Sequence, residues 1–253
     1  MRLKPIALPA EHGSWGLVLE PVALGLLVAP SWGGLSLSIG VVAAFLIRRP
    51  FKVIQVEWRR THSRRGPIAW RFALAYGVVA LVGMGGAVGL VGLAPIAPIV
   101  AAIPFIVVFL VYDLTQQSRS WQAEMAGAAA FAAVAASVAM AGGWQFVESL
   151  ALTGVIVARA IPTVSYVRAR IRLDRDKPRN APFVIGAHVF SLLLMLALVL
   201  LELLPVLVMA AFLVLLFRAA VGLSGFRRRV SVTTIGFMEV GFGVLTVLSV
   251  AFG

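Results

Sequence analysis

The chain has no cysteine, so disulfides and thiolate metal sites are excluded. It has little charge: Asp, Glu, Lys and Arg make up 13% of 253 residues, where a soluble domain carries about a quarter. Acid is scarcer still, with 10 Asp and Glu against 22 Lys and Arg. The three histidines, His12, His62 and His188, lie on separate segments, and no G-x-x-x-x-G-K-[ST] loop occurs, so neither haem nor P-loop chemistry is indicated. The start, "MRLKPIALPAEHGSWG", has charge but no apolar run ending in a small-residue cleavage site, so no cleavable signal is expected. What is abundant is apolar: 61% of the residues are hydrophobic. This composition is that of a polytopic membrane protein, and the net charge of +12 is read first as topology rather than as affinity for nucleic acid.

Apolar stretches of spanning length fall at about 14–32, 35–51, 69–91, 94–113, 122–142, 145–166, 183–203, 206–224 and 231–252. The connectors alternate. "APSWGGLS", "VGLAP", "AGGW" and "LELLP" carry no base, whereas "RRPFKVIQVEWRRTHSRRG", "DLTQQSRSWQ", "RARIRLDRDKPRN" and "GFRRRV" are polar and basic. With the N-terminus in the cytoplasm, all 22 Lys and Arg fall on the inner side. The expectation is one all-α integral membrane domain over residues 1–253, a multi-pass protein of a prokaryotic cytoplasmic membrane. It has nine transmembrane helices, N-terminus in and C-terminus out. Topology and contact with anionic headgroups, about 1 kcal/mol per cation near such a surface, account for Arg59, Arg60, Arg64, Arg65 and Arg227 to Arg229.

Topology does not account for charge inside the apolar runs, where it is expensive. Glu20, in "GLVLEPVAL", lies within the first stretch, Arg159 within the sixth and His188 within the seventh; Arg218 and Glu239 lie toward the inner ends of the eighth and ninth. Asp113 and Glu124 flank the fourth connector. Two readings fit: ion pairs that lock helices together, or a polar cavity open to the cytoplasm. The surrounding cations, Arg48, Arg49, Lys52, Arg119, Arg168, Arg170 and Arg172, favour an anionic ligand, since guanidinium forks bind oxyanions. Glu20, Glu124 and Arg159 are expected to face the interior within reach of one another. Glu11 and His12, in "PAEHGSWG", are candidates for the cavity mouth, beside an interfacial Trp15.

"EHGSWG…EP" in the first stretch, "RRPF" after the second and "YVRARIRL" after the sixth resemble the YwiC-like membrane family over essentially the whole length. A more distant resemblance is to the UbiA superfamily of membrane prenyltransferases. It rests on the nine-span plan and on "VYDLTQQSRSWQAEMAGAAAF", where Tyr112, Arg119, Glu124 and Gly127 match the arrangement around that superfamily's fourth and fifth spans. This resemblance implies a UbiA-like bundle, with a prenyl diphosphate and Mg²⁺ held by Asp-rich motifs after spans two and six. The chain departs from it there. Glu57 is the only acid in the first motif position, and Asp174 and Asp176 form a bare D-x-D in the second, so Mg²⁺ is not supported. No metal site is assigned, and the cofactor stays open.

Arg48, Arg49, Lys52, Arg119, Arg159, Tyr166 and Arg170 are the candidate phosphate ligands. Glu124, Asp113 and His12 are the candidate acid/base groups, and Glu20, His188 and Glu239 the intramembrane polar set. At 100° per residue Arg159, Tyr166 and Arg170 share a face, while Arg168 lies half a turn from Arg159. Arg168 and Arg172 are thereby assigned to topology and membrane contact, subject to a kink at Pro162. Three functions follow: a transferase acting on an isoprenoid or related lipid phosphate, a non-catalytic binder of lipid or quinone, or a small anion transporter using Arg159 with Glu20 or Glu239.

Overall fold

The computed structural model describes residues 3–9, 12–57 and 65–253, with backbone only for 12–14. Among them no strand occurs, and every apolar stretch becomes helix. A four-residue α1 (Lys4–Ala7) precedes α2 (His12–Val28), α3 (Trp32–Glu57) and α4 (Gly66–Val91). A 3₁₀ turn (Ala94–Ile96) leads into α5 (Ala97–Ala101) and α6 (Ile103–Leu114). Then come α7 (Trp121–Ala141), α8 (Phe146–Asp174), α9 (Ala181–Leu200), α10 (Leu207–Leu223) and α11 (Val232–Ala251).

Local chemistry sets several of these ends. Ser120, Asn180 and Ser231 each accept a hydrogen bond from the backbone N–H three residues on, capping α7, α9 and α11. Gly92 and Gly143, at φ 77° and 95°, close two short uncharged turns in a conformation that glycine adopts without penalty. Asp176, at φ 53°, turns the chain after α8, a left-handed position that Asp tolerates better than most residues.

Five helices, α4, α7, α8, α9 and α11, are long and apolar enough to cross a membrane, and α5 with α6, bent by 51° at their junction, makes a sixth. The apolar part of α2 and the whole of α10 are shorter, and α3 carries charge along its second half. The Ala-rich α7 and the 29-residue α8 are the most buried of the candidate spans. Small side chains on α7 let α2, α3, α6 and α8 pack around it, while α8 meets α2, α9, α10 and α11. The outer faces are apolar, as on α4, where Leu81 is 75% exposed. An apolar surface of this extent is costly in water and neutral against lipid tails. The protein is a helical membrane protein.

One apolar cavity of about 330 Å³ lies between α10 and α11, lined by Leu207, Val214, Leu245, Leu248 and Phe252 among others. It sits toward the start of α10 and the end of α11, away from Arg218 and Glu239.

Candidate functional site

Among the described residues, four groups of charged side chains are held inside the bundle or at its helix ends. The deepest joins five helices. Arg159 on α8 binds the Glu20 carboxylate of α2 at 2.6 Å through Nη1, and donates to the backbone carbonyl of Glu239 on α11 at 2.6 Å through Nη2. The Glu239 carboxylate in turn pairs with Arg218 of α10. Arg218 also donates to His188 Nε2 at 3.1 Å, and its guanidinium lies 4.2 Å from the Tyr166 ring centre and 5.1 Å from that of Phe242. His188 Nδ1 is 2.8 Å from the carbonyl of Val184. One ring nitrogen faces a donor and the other an acceptor, which fixes the neutral Nδ1–H tautomer.

Two glycines make room for this network. A Cβ on Gly243 would overlap the Glu20 carboxylate and lie 2.9 Å from Arg159 Nη2, and one on Gly222 would overlap the Tyr166 hydroxyl.

The second group lies at the end of α6. Asp113, almost wholly buried, accepts from Arg48 Nη2 at 2.7 Å and Nε at 3.3 Å, and pairs with Lys52 Nζ at 2.7 Å. Arg48 and Lys52 are one turn apart on α3, so both reach a single carboxylate and leave one positive charge over. The Arg48 guanidinium lies 4.4 Å from the Phe109 ring centre and 5.3 Å from that of Phe45. Edge-to-face contacts continue from those rings: Phe109 with Phe131, Phe131 with Phe45, and Phe45 with Trp15. A continuous set of ring contacts therefore links the net-positive head to Trp15 across α2, α3, α6 and α7. Gln55, one turn beyond Lys52, donates to the carbonyl of Leu114 at 3.0 Å.

The third and fourth groups are at the end of α8. Arg168 pairs with Glu124 of α7 at 2.6 Å and donates to the carbonyl of Arg119. Arg170 binds Asp174 at 3.0 Å and the carbonyl of Gly222 at 2.9 Å, and reaches the carbonyl of Arg228. Arg227 takes the other Asp174 oxygen at 3.0 Å. Arg229 and Asp176 approach to 3.5 Å at the surface.

The intramembrane residues Glu20, Arg159, His188, Arg218 and Glu239 come together. Arg159, Tyr166 and Arg170 are all buried on α8. They do not converge on one point, because Arg159 is bound to α2 and α11 while Arg170 is bound to Asp174 and the α10–α11 connector. Glu124 does not join Glu20 and Arg159, contrary to expectation. Arg168 and Arg159 are half a turn apart on α8, so the face that meets Glu124 on α7 carries Arg168, and Arg159 looks toward α2 and α11. Arg168 and Arg227 consequently serve as ion-pair partners and not only as topological charge. Arg49 is turned to the carbonyl of Pro5 at 2.8 Å, away from Asp113. Arg119 contributes its backbone to Arg168. Glu11 and the His12 side chain lie outside the described residues.

Sequence reasoning missed the aromatic partners. The signal was there in spacing: Phe45 precedes Arg48 by three residues and Phe109 precedes Asp113 by four, one helical turn in each case.

The fold and its buried ion pairs define a polytopic helical membrane protein with two basic clusters, at Asp113 and at Asp174, in which cations outnumber the acid. The family model described as YwiC-like protein matches residues 8–139, just over half of the chain. The chain belongs to the YwiC-like family. No curated protein and no solved structure matches it.

Proposed function

We propose that the protein is a nine-span membrane protein with its N-terminus in the cytoplasm and its C-terminus outside. On this reading it has a UbiA-like plan and binds an anionic amphiphile, an isoprenoid or related lipid phosphate. The topology is supported by the absence of Lys and Arg from the alternate set of connectors, and by the helical state of each apolar stretch.

One observation carries the ligand reading: Arg48 and Lys52 share the single acid Asp113, and the aromatic path begins at Arg48. A phosphate head neutralises the surplus charge through Lys52 and the guanidinium edge, while an apolar tail follows Phe109, Phe131 and Phe45 into the bundle. Binding is favoured over transfer. Asp113 and Glu124, two of the acid/base candidates, are each paired with cations and sit in separate clusters.

Mg²⁺ does not fit the D-x-D. Both oxygens of Asp174 are held by Arg170 and Arg227, Asp176 faces Arg229, and no group of three His, Asp or Glu side chains suited to a metal occurs among the described residues. The test compares an isoprenyl monophosphate with the corresponding alcohol as stabilisers of the detergent-purified protein. The phosphate is expected to raise the melting temperature and the alcohol to leave it unchanged. Equal effects would leave the surplus charge without a role in binding and overturn the reading.

A further inference from the structure

Three polar atoms of the α8–α10 core have no hydrogen-bond partner among the described residues: Arg159 Nε, Arg218 Nε and Thr163 Oγ1. Both arginine side chains are only 7% exposed. A guanidinium N–H at that depth is closed off from bulk solvent, and folded proteins seldom leave such a donor without a partner. The residues that carry them are close along the chain or through shared contacts. Arg159 and Arg218 flank the same residue, Glu239, one at its carbonyl and the other at its carboxylate. Thr163 is one turn beyond Arg159 on α8, and Tyr166, whose ring packs against Arg218, is three residues further. Along α8, Thr163 thus sits between the points at which the two guanidiniums are held.

Charge decides what such a locus takes. Glu20 and Glu239 carry two negative charges, Arg159 and Arg218 two positive, and His188 is neutral in the tautomer its contacts require. Among the described residues the other elements packed here add none. On α7, Glu124 is with Arg168; on α3, Arg48 and Lys52 are with Asp113, Arg49 is turned to Pro5, and Glu57 is at the far end. The remaining charges of α8 lie at its two ends, at Glu148 and from Arg168 onward. The locus is neutral, with N–H and O–H donors to spare.

We propose that Arg159, Thr163 and Arg218 form a binding site for a small monovalent anion of halide size, and that each anion enters with one proton, taken up by Glu20 or Glu239. The donors match an anion, but its negative charge is tolerated in a low-dielectric interior only when one carboxylate is neutralised at the same time. The proton comes from solvent and ends on a carboxylate oxygen, so the charge of the locus is unchanged by binding. Two arginines, two acids and a threonine are then a proton-linked anion site rather than a pair of inert helix staples. This site is separate from the one at Asp113 and does not depend on it.

The experiment is calorimetric titration of sodium bromide into wild-type protein in chloride-free nanodiscs at pH 8, in two buffers of different ionisation heat, with gluconate as control. Saturable binding with uptake of about one proton per bromide is expected, the affinity falling about tenfold per pH unit. Glu20→Gln or Glu239→Gln removes one negative charge permanently, so in at least one of them bromide binds without proton uptake and with the pH dependence lost. Absence of saturable bromide binding in the wild type, binding without proton uptake, or unchanged linkage in both variants would overturn the proposal. The wild-type titration decides even if a variant does not fold.

Discussion

At Gly243 a single hydrogen atom in place of a methyl group decides whether Glu20 and Arg159 can meet. Gly243→Ala puts a Cβ into the Glu20 carboxylate and against Arg159. Overpacking of a tight interior costs about 1–3 kcal/mol, and displacement of the ion pair adds to it. Gly222→Ala meets the stiff Tyr166 ring, which cannot swing away as a carboxylate can, so it is expected to be the more damaging of the two. Thermal unfolding of both variants in one detergent checks that order. The aromatic neighbours of Arg48 work on the same scale. They offset part of the cost of holding a cation at 14% exposure, at about 0.5–2 kcal/mol each.

Among the elements, α8 carries the densest chemistry. It serves three partners at three heights: Arg159 toward α2 and α11, Arg168 toward α7, and Arg170 toward the α10–α11 connector. Arg170→Gln leaves Asp174 with Arg227 alone and takes the donor from the carbonyls of Gly222 and Arg228, the buried carbonyl alone costing about 1–3 kcal/mol. Arg168→Gln breaks a pair whose partners are each about a third exposed, worth about 1 kcal/mol or less. A clear gap between their unfolding midpoints is expected, and equal midpoints would contradict the division.

Much of this element was legible. The 100° step already set Arg159, Tyr166 and Arg170 on one face, and all three are buried despite Pro162. What the sequence left hidden is which neighbour each face meets. Glu124 lies in depth between Arg159 and Arg168, so depth alone does not choose its partner. The choice follows from the packing of α7 on α8, which no periodicity encodes. Glu20, Glu124 and Glu239, which pair with Arg159, Arg168 and Arg218, are visible as charges in or beside apolar runs, and Asp174, the partner of Arg170, only as half of a D-x-D in a basic connector; their pairing is a property of five packed helices.

The whole molecule is organised by one asymmetry: most of its cations collect at one set of helix ends, and Asp113, Glu124 and Asp174 sit there to meet them. The cysteine-free chain makes the topology easy to probe, since single cysteines need no altered background. Gly253→Cys is expected to react with an impermeant maleimide on intact cells, and Gln117→Cys, in the α6–α7 connector, only after permeabilisation. Protection of the first or labelling of the second would remove the nine-span topology. The proposed function is tested most directly by mass spectrometry of the lipids that copurify with the wild type and with Lys52→Gln. In that variant Asp113 keeps Arg48, so the helix contact survives while the surplus charge is gone. The predicted result is an isoprenoid or related lipid phosphate enriched over bulk membrane in the wild type and lost in the variant. The same generic phospholipid profile in both would contradict the account.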